Sequence, residues 1–283
     1  MLRVAIPNKG SLSEAATTML TEAGYSLRTA TKSLVHRDPA NKVEFFYLRP
    51  RDIAIYIGRG ILDLGITGRD LLAESRAEAE EILSLGFGTS WFHYAGPSGK
   101  FHTLDQLADT TIATSYPNLV ADDLARRGIN AQTVKLDGAV EVSIELGVAD
   151  AIADVVETGT TLKMSGLEVF GEPILESEAV LIRRDGLGET TTPEMDVFIR
   201  RVQSVMVARN YVLIDYDIRT SDLARATAIT SGFESPTISD LRDPQWSAVR
   251  VMVSTKEAHA VMDELYAVGA RAILVTTIDA CRI

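Results

Sequence analysis

Residues 150–162 read Asp-Ala-Ile-Ala-Asp-Val-Val-Glu-Thr-Gly-Thr-Thr-Leu and contain three parts of one structural unit. The apolar run at 151–155 predicts a buried strand, with the acidic residue Asp154 near its end. The polar residues 157–161 predict a turn, and a short helix toward Gly166 follows it. A strand, a turn and a helix in this order are the repeating unit of α/β folds.

The same alternation of strands and helices extends over the first two thirds of the chain. Ser11 with Glu14 predicts a capping box at the first helix, and Pro117 opens a helix that ends at Gly128. The predicted strands are residues 2–6, 43–48, 62–67, 111–114, 133–136, 151–155 and 179–182. We therefore expect an α/β fold for this part of the chain.

From residue 211 onward the order of elements changes. After a connecting helix at 194–209, we expect a strand, a helix, two extended pieces, a helix and a strand, at 211–216, 221–229, 235–238, 249–253, 256–268 and 272–277. This β-α-β-β-α-β order is typical of the ferredoxin-like, split βαβ arrangement. The sequence therefore predicts a separate C-terminal α+β module of about seventy residues.

Composition excludes several classes of protein. Cys281 is the single cysteine and the four histidines are scattered, which excludes an intrachain disulfide and argues against a Cys/His metal site. The net charge of −11 argues against general nucleic-acid binding. We also expect no membrane span and, since the first residues lack a signal-peptide layout, a cytoplasmic location. A phosphate-rich ligand must therefore meet a local cluster of Lys and Arg.

The turn at 157–161 has the residues that a phosphorylated sugar needs. Gly159 lets the backbone approach a ligand, while Glu157 and the hydroxyls of Thr158, Thr160 and Thr161 are further polar contacts. Asp154, just upstream, is placed to accept hydrogen bonds from a vicinal diol. A bare Thr-Gly-Thr turn is more often a simple helix start, but the acidic residue at this offset favours phosphate binding.

Basic residues follow three predicted strands. Lys9 follows the first strand, Arg49 and Arg51 the second, and Arg69 the third, at the carboxyl ends where α/β folds bind ligands. Taken alone, Lys9 is better interpreted as an ordinary solvated lysine. Together the four predict the required positive cluster, in which arginine suits bidentate phosphate binding.

Other residues in these turns have a structural and a functional interpretation. Thr67 and Gly68 are available to bind a ligand, and Asp70 is either a helix N-cap or a ligand-binding residue. Tyr116 either stacks on a base or packs on the core. Glu141 either holds ribose hydroxyls or a metal-bound water, or supplies a favourable charge to the first turn of a helix.

Assembled, these turns resemble the long form of the ATP phosphoribosyltransferase family over essentially the whole chain. The resemblance implies two α/β lobes of the periplasmic-binding-protein type, residues 1–90 with 183–210 and residues 91–182, with the active site in the cleft. It also implies a C-terminal ACT-like regulatory domain at 211–283. The motifs that carry it are residues 3–10, 48–50, 65–70, 113–118, 137–141 and 154–161.

The resemblance also implies a reaction, the first step of histidine biosynthesis. Adenine N1 of ATP attacks the anomeric carbon of phosphoribosyl pyrophosphate and releases pyrophosphate. Lys9 and Arg49 with Mg²⁺ then stabilise the leaving group, residues 157–161 hold the 5-phosphate, and Asp154 holds the ribose hydroxyls. Arg51, Gly68, Asp70, Tyr116 and Glu141 are further substrate contacts, and no metal ligand is identified.

Histidine is the feedback inhibitor that the resemblance implies. Asp217 is assigned to its amino or imidazole group, with Ser235 and Thr237 nearby; from residue types alone, a strand-end carboxylate and turn residues are the simpler interpretation. The family also implies a homo-oligomer, a dimer or a hexamer. Two alternatives stay open: a phosphoribosyltransferase for another base, and a non-catalytic small-molecule binding protein, since fold does not fix function.

Overall fold

The chain divides into two compact units by packing, residues 1–18 with 26–195 and residues 19–25 with 196–283. The first unit contains two sheets and the second contains one. The predicted boundaries differ from this division, because most of the helix at 193–210 packs with the second unit rather than with the first lobe. The computed structural model describes residues 1–28, 33–156, 159–186 and 192–282.

Sheet A forms the first lobe of the first unit. Its central strands are parallel and bury Val4, Ala5 and Ile6 on both faces, as expected for a sheet covered by helices. In spatial order its strands are β2 (Val35–Asp38), β3 (Val43–Leu48), β1 (Leu2–Pro7), β4 (Leu64–Gly68), β11 (Ala179–Arg184) and β5 (Ala79–Ser84).

Sheet B forms the second lobe. Apolar clusters cover both of its faces, one around Phe92 and Tyr94 and the other around Ala95 and Ile152. In spatial order its strands are β10 (Leu167–Ser177), β6 (Ser90–Pro97), β9 (Ala151–Val156), β7 (Thr111–Thr114) and β8 (Gln132–Lys135).

The chain crosses between the two lobes twice, from β5 to β6 and from β10 to β11. Because β11 pairs with β4 and β5, residues 179–182 lie in the first lobe, which corrects their predicted place in the second lobe. Two α/β lobes linked in this way agree with the predicted fold class. They also place the carboxyl ends of β1, β4, β7 and β9 around one cleft.

Sheet C forms the second unit with the strand order β13 (Thr237–Asp240), β14 (Trp246–Ser254), β12 (Tyr211–Arg219) and β15 (Arg271–Thr277). Val212, Ile214, Tyr216 and Ile218 alternate along β12 and enter one apolar core, so the sheet is covered on one face. The predicted ferredoxin-like order of elements is confirmed.

The helices follow the strands as the sequence predicts, with small shifts at their ends. The first helix begins at Ser11 itself, with Gly10 preceding it, so the predicted capping residue lies inside the helix. No described helix is long and apolar enough to cross a membrane. The helices are α1 (Ser11–Glu22), α2 (Pro50–Gly58), α3 (Arg69–Ser75), α4 (Pro117–Arg127), α5 (Val142–Glu145), α6 (Thr160–Met164), α7 (Pro193–Asn210), α8 (Leu223–Ile229) and α9 (Ala258–Ala267).

Candidate active site

A cavity of about 340 Å³ in the first unit is lined by residues of both lobes. Four of the predicted site side chains contribute to its wall: Lys9 after β1, Asp70 after β4, Tyr116 after β7 and Asp154 from β9. Gly68 lines it as well. These residues come from four separate strand ends, so the fold brings together what the sequence places up to 145 positions apart.

Asp154 lies inside β9, within the strand predicted at 151–155. Its carboxylate accepts the backbone N–H of Val155 at 2.8 Å. Burial raises the pKa of Asp154, and the charges of Glu141 and Asp70 raise it further, while the Val155 N–H and the Arg51 guanidinium lower it. The site therefore holds an acidic group that is costly to ionise.

Asp70 is buried in the first turn of α3 and is not the N-cap, because Gly68 occupies that position. The Ser177 hydroxyl donates to Asp70 Oδ1 at 2.7 Å and accepts the Asp70 backbone N–H at 3.1 Å. A Cβ on Gly68 would lie only 2.3 Å from Asp70 Oδ1. Glycine is therefore needed at position 68 so that the Asp70 carboxylate has room.

Arg51 and Tyr116 join the two lobes at the cavity. Arg51 donates to the Ser115 carbonyl at 2.7 Å and to its hydroxyl at 3.3 Å, and its guanidinium lies 4.8 Å from the centre of the Tyr116 ring. Tyr116 hydrogen-bonds Asp70, and burial together with the Asp70 charge raises the pKa of its hydroxyl. Its ring packs on Phe92, so Tyr116 is both a core residue and a wall of the cavity.

The predicted positive cluster is smaller in the structure than in the sequence. Lys9 lines the cavity, but Arg69 is paired with Glu81 at 2.8 Å and with Glu178 at 3.1 Å. Arg49 is exposed at the N-cap of α2 and does not line the cavity. Lys9 and Arg51 are thus the basic residues that the structure places at or beside the cavity.

The turn after β9 is described only in part. Gly159 has φ of 69°, a left-handed conformation that favours glycine, and Thr160 begins α6. Glu157 and Thr158 lie outside the described residues, as does the side chain of Thr161. Thr67, which the sequence left free for binding, is fully buried and donates to the Pro50 carbonyl at 2.8 Å.

Magnesium fits this cavity only as an ion shared with a substrate. Within residues 1–28, 33–156, 159–186 and 192–282, no three His, Cys, Asp or Glu side chains are grouped as a metal site needs. Asp70 and Asp154 nevertheless bring two carboxylates to one cavity, and carboxylate oxygen is the ligand that Mg²⁺ prefers. One or two carboxylates and substrate phosphates are the usual set of ligands for this ion.

Residues that local sequence reasoning missed complete the cavity. Ser177 and Ser90 are register partners on β10 and β6 and both line it, yet neither belongs to a recognisable motif. His93, the register partner of Asp154 on β6, does not line the cavity. Its Nδ1 is buried and has no partner among the described residues, and burial lowers its pKa. Neighbouring strands supply these residues, so only the sheet pairing reveals them.

A second cavity, of about 350 Å³, lies within the C-terminal unit. Ser235 and Thr237 line it, as does Arg250, which is paired with Asp215 at 2.8 Å. Asp217, which the sequence grouped with these two residues, does not line the cavity. Its side chain is half-buried on β12, beside Ala248 in register.

Comparisons with known proteins identify the two parts of the chain. A family model described as ATP phosphoribosyltransferase matches residues 49–204, and one described as HisG, C-terminal domain, matches residues 208–280. The chain is 62% identical over 286 residues to the ATP phosphoribosyltransferase of Paenarthrobacter aurescens and 56% identical over 283 residues to that of Mycobacterium tuberculosis, in each case with full coverage of both chains.

A solved structure agrees with these relatives. The chain is similar to a chain of the ATP phosphoribosyl transferase (HisG:HisZ) complex from Thermotoga maritima, with a TM-score of 0.64 and 28% sequence identity. The match covers 73% of this chain and 98% of that chain. Sequence relatives and fold therefore lead to the same family.

Proposed function

The chain belongs to the ATP phosphoribosyltransferase family, whose reaction is the first step of histidine biosynthesis, and we propose that the cavity of the first unit is where it catalyses that reaction. The reaction joins adenine N1 of ATP to the anomeric carbon of phosphoribosyl pyrophosphate and releases pyrophosphate. One observation carries the assignment: Lys9, Asp70, Tyr116 and Asp154, from four strand ends, line one cavity.

The phosphoribosyl group binds on the side of the second lobe. Asp154 projects from β9 and accepts hydrogen bonds from the two ribose hydroxyls. Residues 157–161 follow that strand in the sequence and hold the 5-phosphate, with Gly159 allowing the backbone to come close. Glu141, whose charge already acts on Asp154, lies on the same side of the sugar.

Positive charge stabilises the departing pyrophosphate. Lys9 lines the cavity, and Arg49, exposed beside the cavity residue Pro50, swings toward the pyrophosphate. Asp154 or Asp70 would be the carboxylate that holds Mg²⁺ together with the substrate phosphates, and the ion would supply charge neutralisation on the pyrophosphate. Preorganised charge of this kind favours the transition state, because negative charge builds up there on the leaving oxygen.

The acceptor needs positioning rather than activation. Adenine N1 already has a lone pair, so no general base has to remove a proton before it attacks. Tyr116 and Arg51 form a flat wall against which the base rests. Bringing N1 close to the anomeric carbon then supplies a large part of the rate enhancement.

The function is tested by measuring pyrophosphate release from phosphoribosyl pyrophosphate with Mg²⁺ and each nucleoside triphosphate in turn. Release is expected with ATP and not with the other three. ATP and phosphoribosyl pyrophosphate should also raise the melting temperature, since a ligand stabilises the state that it binds. Release with another base and not with ATP would contradict the assignment.

The C-terminal unit is the sensor of the pathway's product. Histidine binds in its cavity, with Ser235 and Thr237 as hydrogen-bonding partners. Asp217 stays a proposed contact for the amino or imidazole group of histidine. Because Asp217 does not line the cavity, this contact requires part of the histidine to extend beyond it. Inhibition of pyrophosphate release by histidine is the measurement that tests this role.

The active enzyme is a homo-oligomer in the cytoplasm. Leu274 and Val275 on the edge strand β15 are exposed, by 62% and 42%, and an exposed apolar edge favours association. Light scattering of the purified protein is expected to give the mass of a dimer or a hexamer. A monomeric mass at working concentrations would contradict this part of the proposal.

A further inference from the structure

The Asp70 carboxylate, which belongs to the first lobe, is held in one orientation by two groups of the second lobe. The Ser177 hydroxyl donates to the carboxylate at 2.7 Å and accepts the Asp70 backbone N–H at 3.1 Å, and the Tyr116 hydroxyl bonds the carboxylate from the start of α4. Ser177 and Asp70 are 107 residues apart in the sequence and lie on different lobes. Such support is typical of a group whose orientation matters for recognition.

Free acceptor capacity remains on this carboxylate. An ionised carboxylate offers about four lone-pair sites, and Ser177 and Tyr116 occupy two of them. Asp70 and Ser177 both line the cavity, so the remaining capacity is available to a ligand there. Gly68 keeps space clear beside Oδ1, where a Cβ would lie at 2.3 Å. The cavity therefore presents a fixed, strong acceptor.

The two kinds of purine differ in what they present to such an acceptor. Adenine carries a 6-amino group, which donates, next to N1, whereas guanine and hypoxanthine carry a 6-oxygen, which accepts. A carboxylate attracts the first and repels the second. The 6-amino group is also adjacent to the nitrogen that reacts, so a partner for it fixes the position of N1.

On these grounds, and resting on the proposed function, we propose that Asp70 selects adenine by accepting a hydrogen bond from its 6-amino group, with Ser177 as the positioning residue. When the N1–C1′ bond forms and the C1′–oxygen bond to pyrophosphate breaks, the electron pair leaves with pyrophosphate. The adenine ring becomes cationic, and part of that charge lies on the 6-amino nitrogen. Asp70 therefore binds the transition state more strongly than the ground state.

The test compares ATP with purine riboside 5′-triphosphate, which keeps the N1 lone pair and lacks the 6-amino group. The quantity is the ratio of kcat/KM for the two acceptors, measured by pyrophosphate release at saturating phosphoribosyl pyrophosphate. The intrinsic reactivity of each base is the same for every variant, so a change in the ratio reports the protein group. A hydrogen bond to a charged group contributes about 10- to 100-fold.

Asp70→Asn keeps the shape and removes the charge, and we expect it to lower the preference for ATP by about 10-fold or more. Ser177→Ala leaves Asp70 free to turn and should lower the preference by about 3- to 10-fold, mainly through kcat. The matched control is Ser98→Ala, because Ser98 lies in the same lobe, donates to the Gly166 carbonyl and does not line the cavity. It should keep the wild-type ratio.

The outcomes separate this inference from the function on which it rests. Wild-type protein that releases no pyrophosphate with ATP refutes the function itself. An active wild type with an unchanged ratio in folded Asp70→Asn overturns the role of Asp70. A variant that needs more Mg²⁺ at an unchanged ratio places Asp70 on the metal and overturns the inference too. If Ser177→Ala fails to fold, Asp70→Asn alone decides.

Discussion

Asp154 combines a chemical role with a cost to the fold. Burial raises its pKa, and the charges of Glu141 and Asp70 add to this effect. Its folded-state pKa thus lies above the usual value of about 3.9. As pH rises, the carboxyl of the unfolded chain loses its proton before that of the folded chain. Ionisation of Asp154 therefore begins to lower the free energy of unfolding above the unfolded-state pKa, and the full loss is reached above the folded-state pKa. In the proposed function, this costly charge lies where the ribose binds.

Asp154→Asn removes that charge at nearly constant shape. We expect kcat/KM for phosphoribosyl pyrophosphate to fall by about 100-fold, since an amide accepts ribose hydroxyls less well than a carboxylate does. The wild-type rate should also decline at acid pH through a pKa above the ordinary Asp range, and the variant should lack that decline. Chemical denaturation at neutral pH should find the variant at least as stable as wild type.

Gly68→Ala tests the space around Asp70. The new Cβ would lie 2.3 Å from Asp70 Oδ1, so the carboxylate must turn away from the cavity. The backbone at this position has φ of −81°, which alanine adopts without strain. We expect kcat/KM for ATP to fall at least about 10-fold while the melting temperature changes little. Full activity in the folded variant would show that Asp70 orientation is unimportant.

At the scale of elements, α3 and α4 join the two lobes. The buried carboxylate of Glu74 on α3 accepts the Leu119 N–H at 2.9 Å in the first turn of α4, and the Glu74 carbonyl accepts the Asn118 side chain. Arg76 pairs with Asp122 across the same helices. The two lobes are therefore held together by the contacts between α3 and α4 as well as by the two chain crossings.

Glu74→Ala leaves the start of α4 without its acceptor and should lower the free energy of unfolding by about 1–2 kcal/mol. Glu74→Gln keeps an acceptor and should cost less. Burial raises the pKa of Glu74 in the folded chain. Wild type should therefore lose stability as pH rises from the ordinary Glu pKa to the raised one, and Glu74→Gln should not show this loss. Urea unfolding of wild type and the two variants at pH 4.5 and 7.5 measures the stability change and its pH dependence. Equal losses of unfolding free energy for Glu74→Ala and Glu74→Gln would contradict the capping role.

Strand–helix periodicity and turn chemistry predicted much of the fold from the sequence. Lys9, Tyr116 and Asp154 were found because each belongs to a strand end or turn with its own local signal. Ser177 could not be found, because its role depends on Asp70, 107 residues away. Arg69 was misjudged for the same reason, since Glu178, which pairs with it, lies 109 residues along the chain. Tertiary pairing, invisible to local patterns, decides these positions.

In the molecule as a whole, the role that we propose for the C-terminal unit is regulation of the catalytic unit. Thr237→Ala should raise the histidine concentration for half-inhibition by about 10-fold, because one hydrogen bond to the inhibitor is lost. Ser239→Ala is the matched control, since Ser239 lies on the same strand but does not line the cavity. Equal histidine sensitivity in wild type and Thr237→Ala would move the inhibitor to another site.

In the proposed function, the cavity lined by Lys9, Asp70, Tyr116 and Asp154 is where the transfer to ATP takes place. The most direct test is pyrophosphate release from phosphoribosyl pyrophosphate and Mg²⁺, with and without ATP, by wild type and by Asp154→Asn. We expect release that requires ATP in wild type and that falls by about 100-fold in the folded variant. Release that proceeds without ATP, or that survives the substitution undiminished, would contradict it.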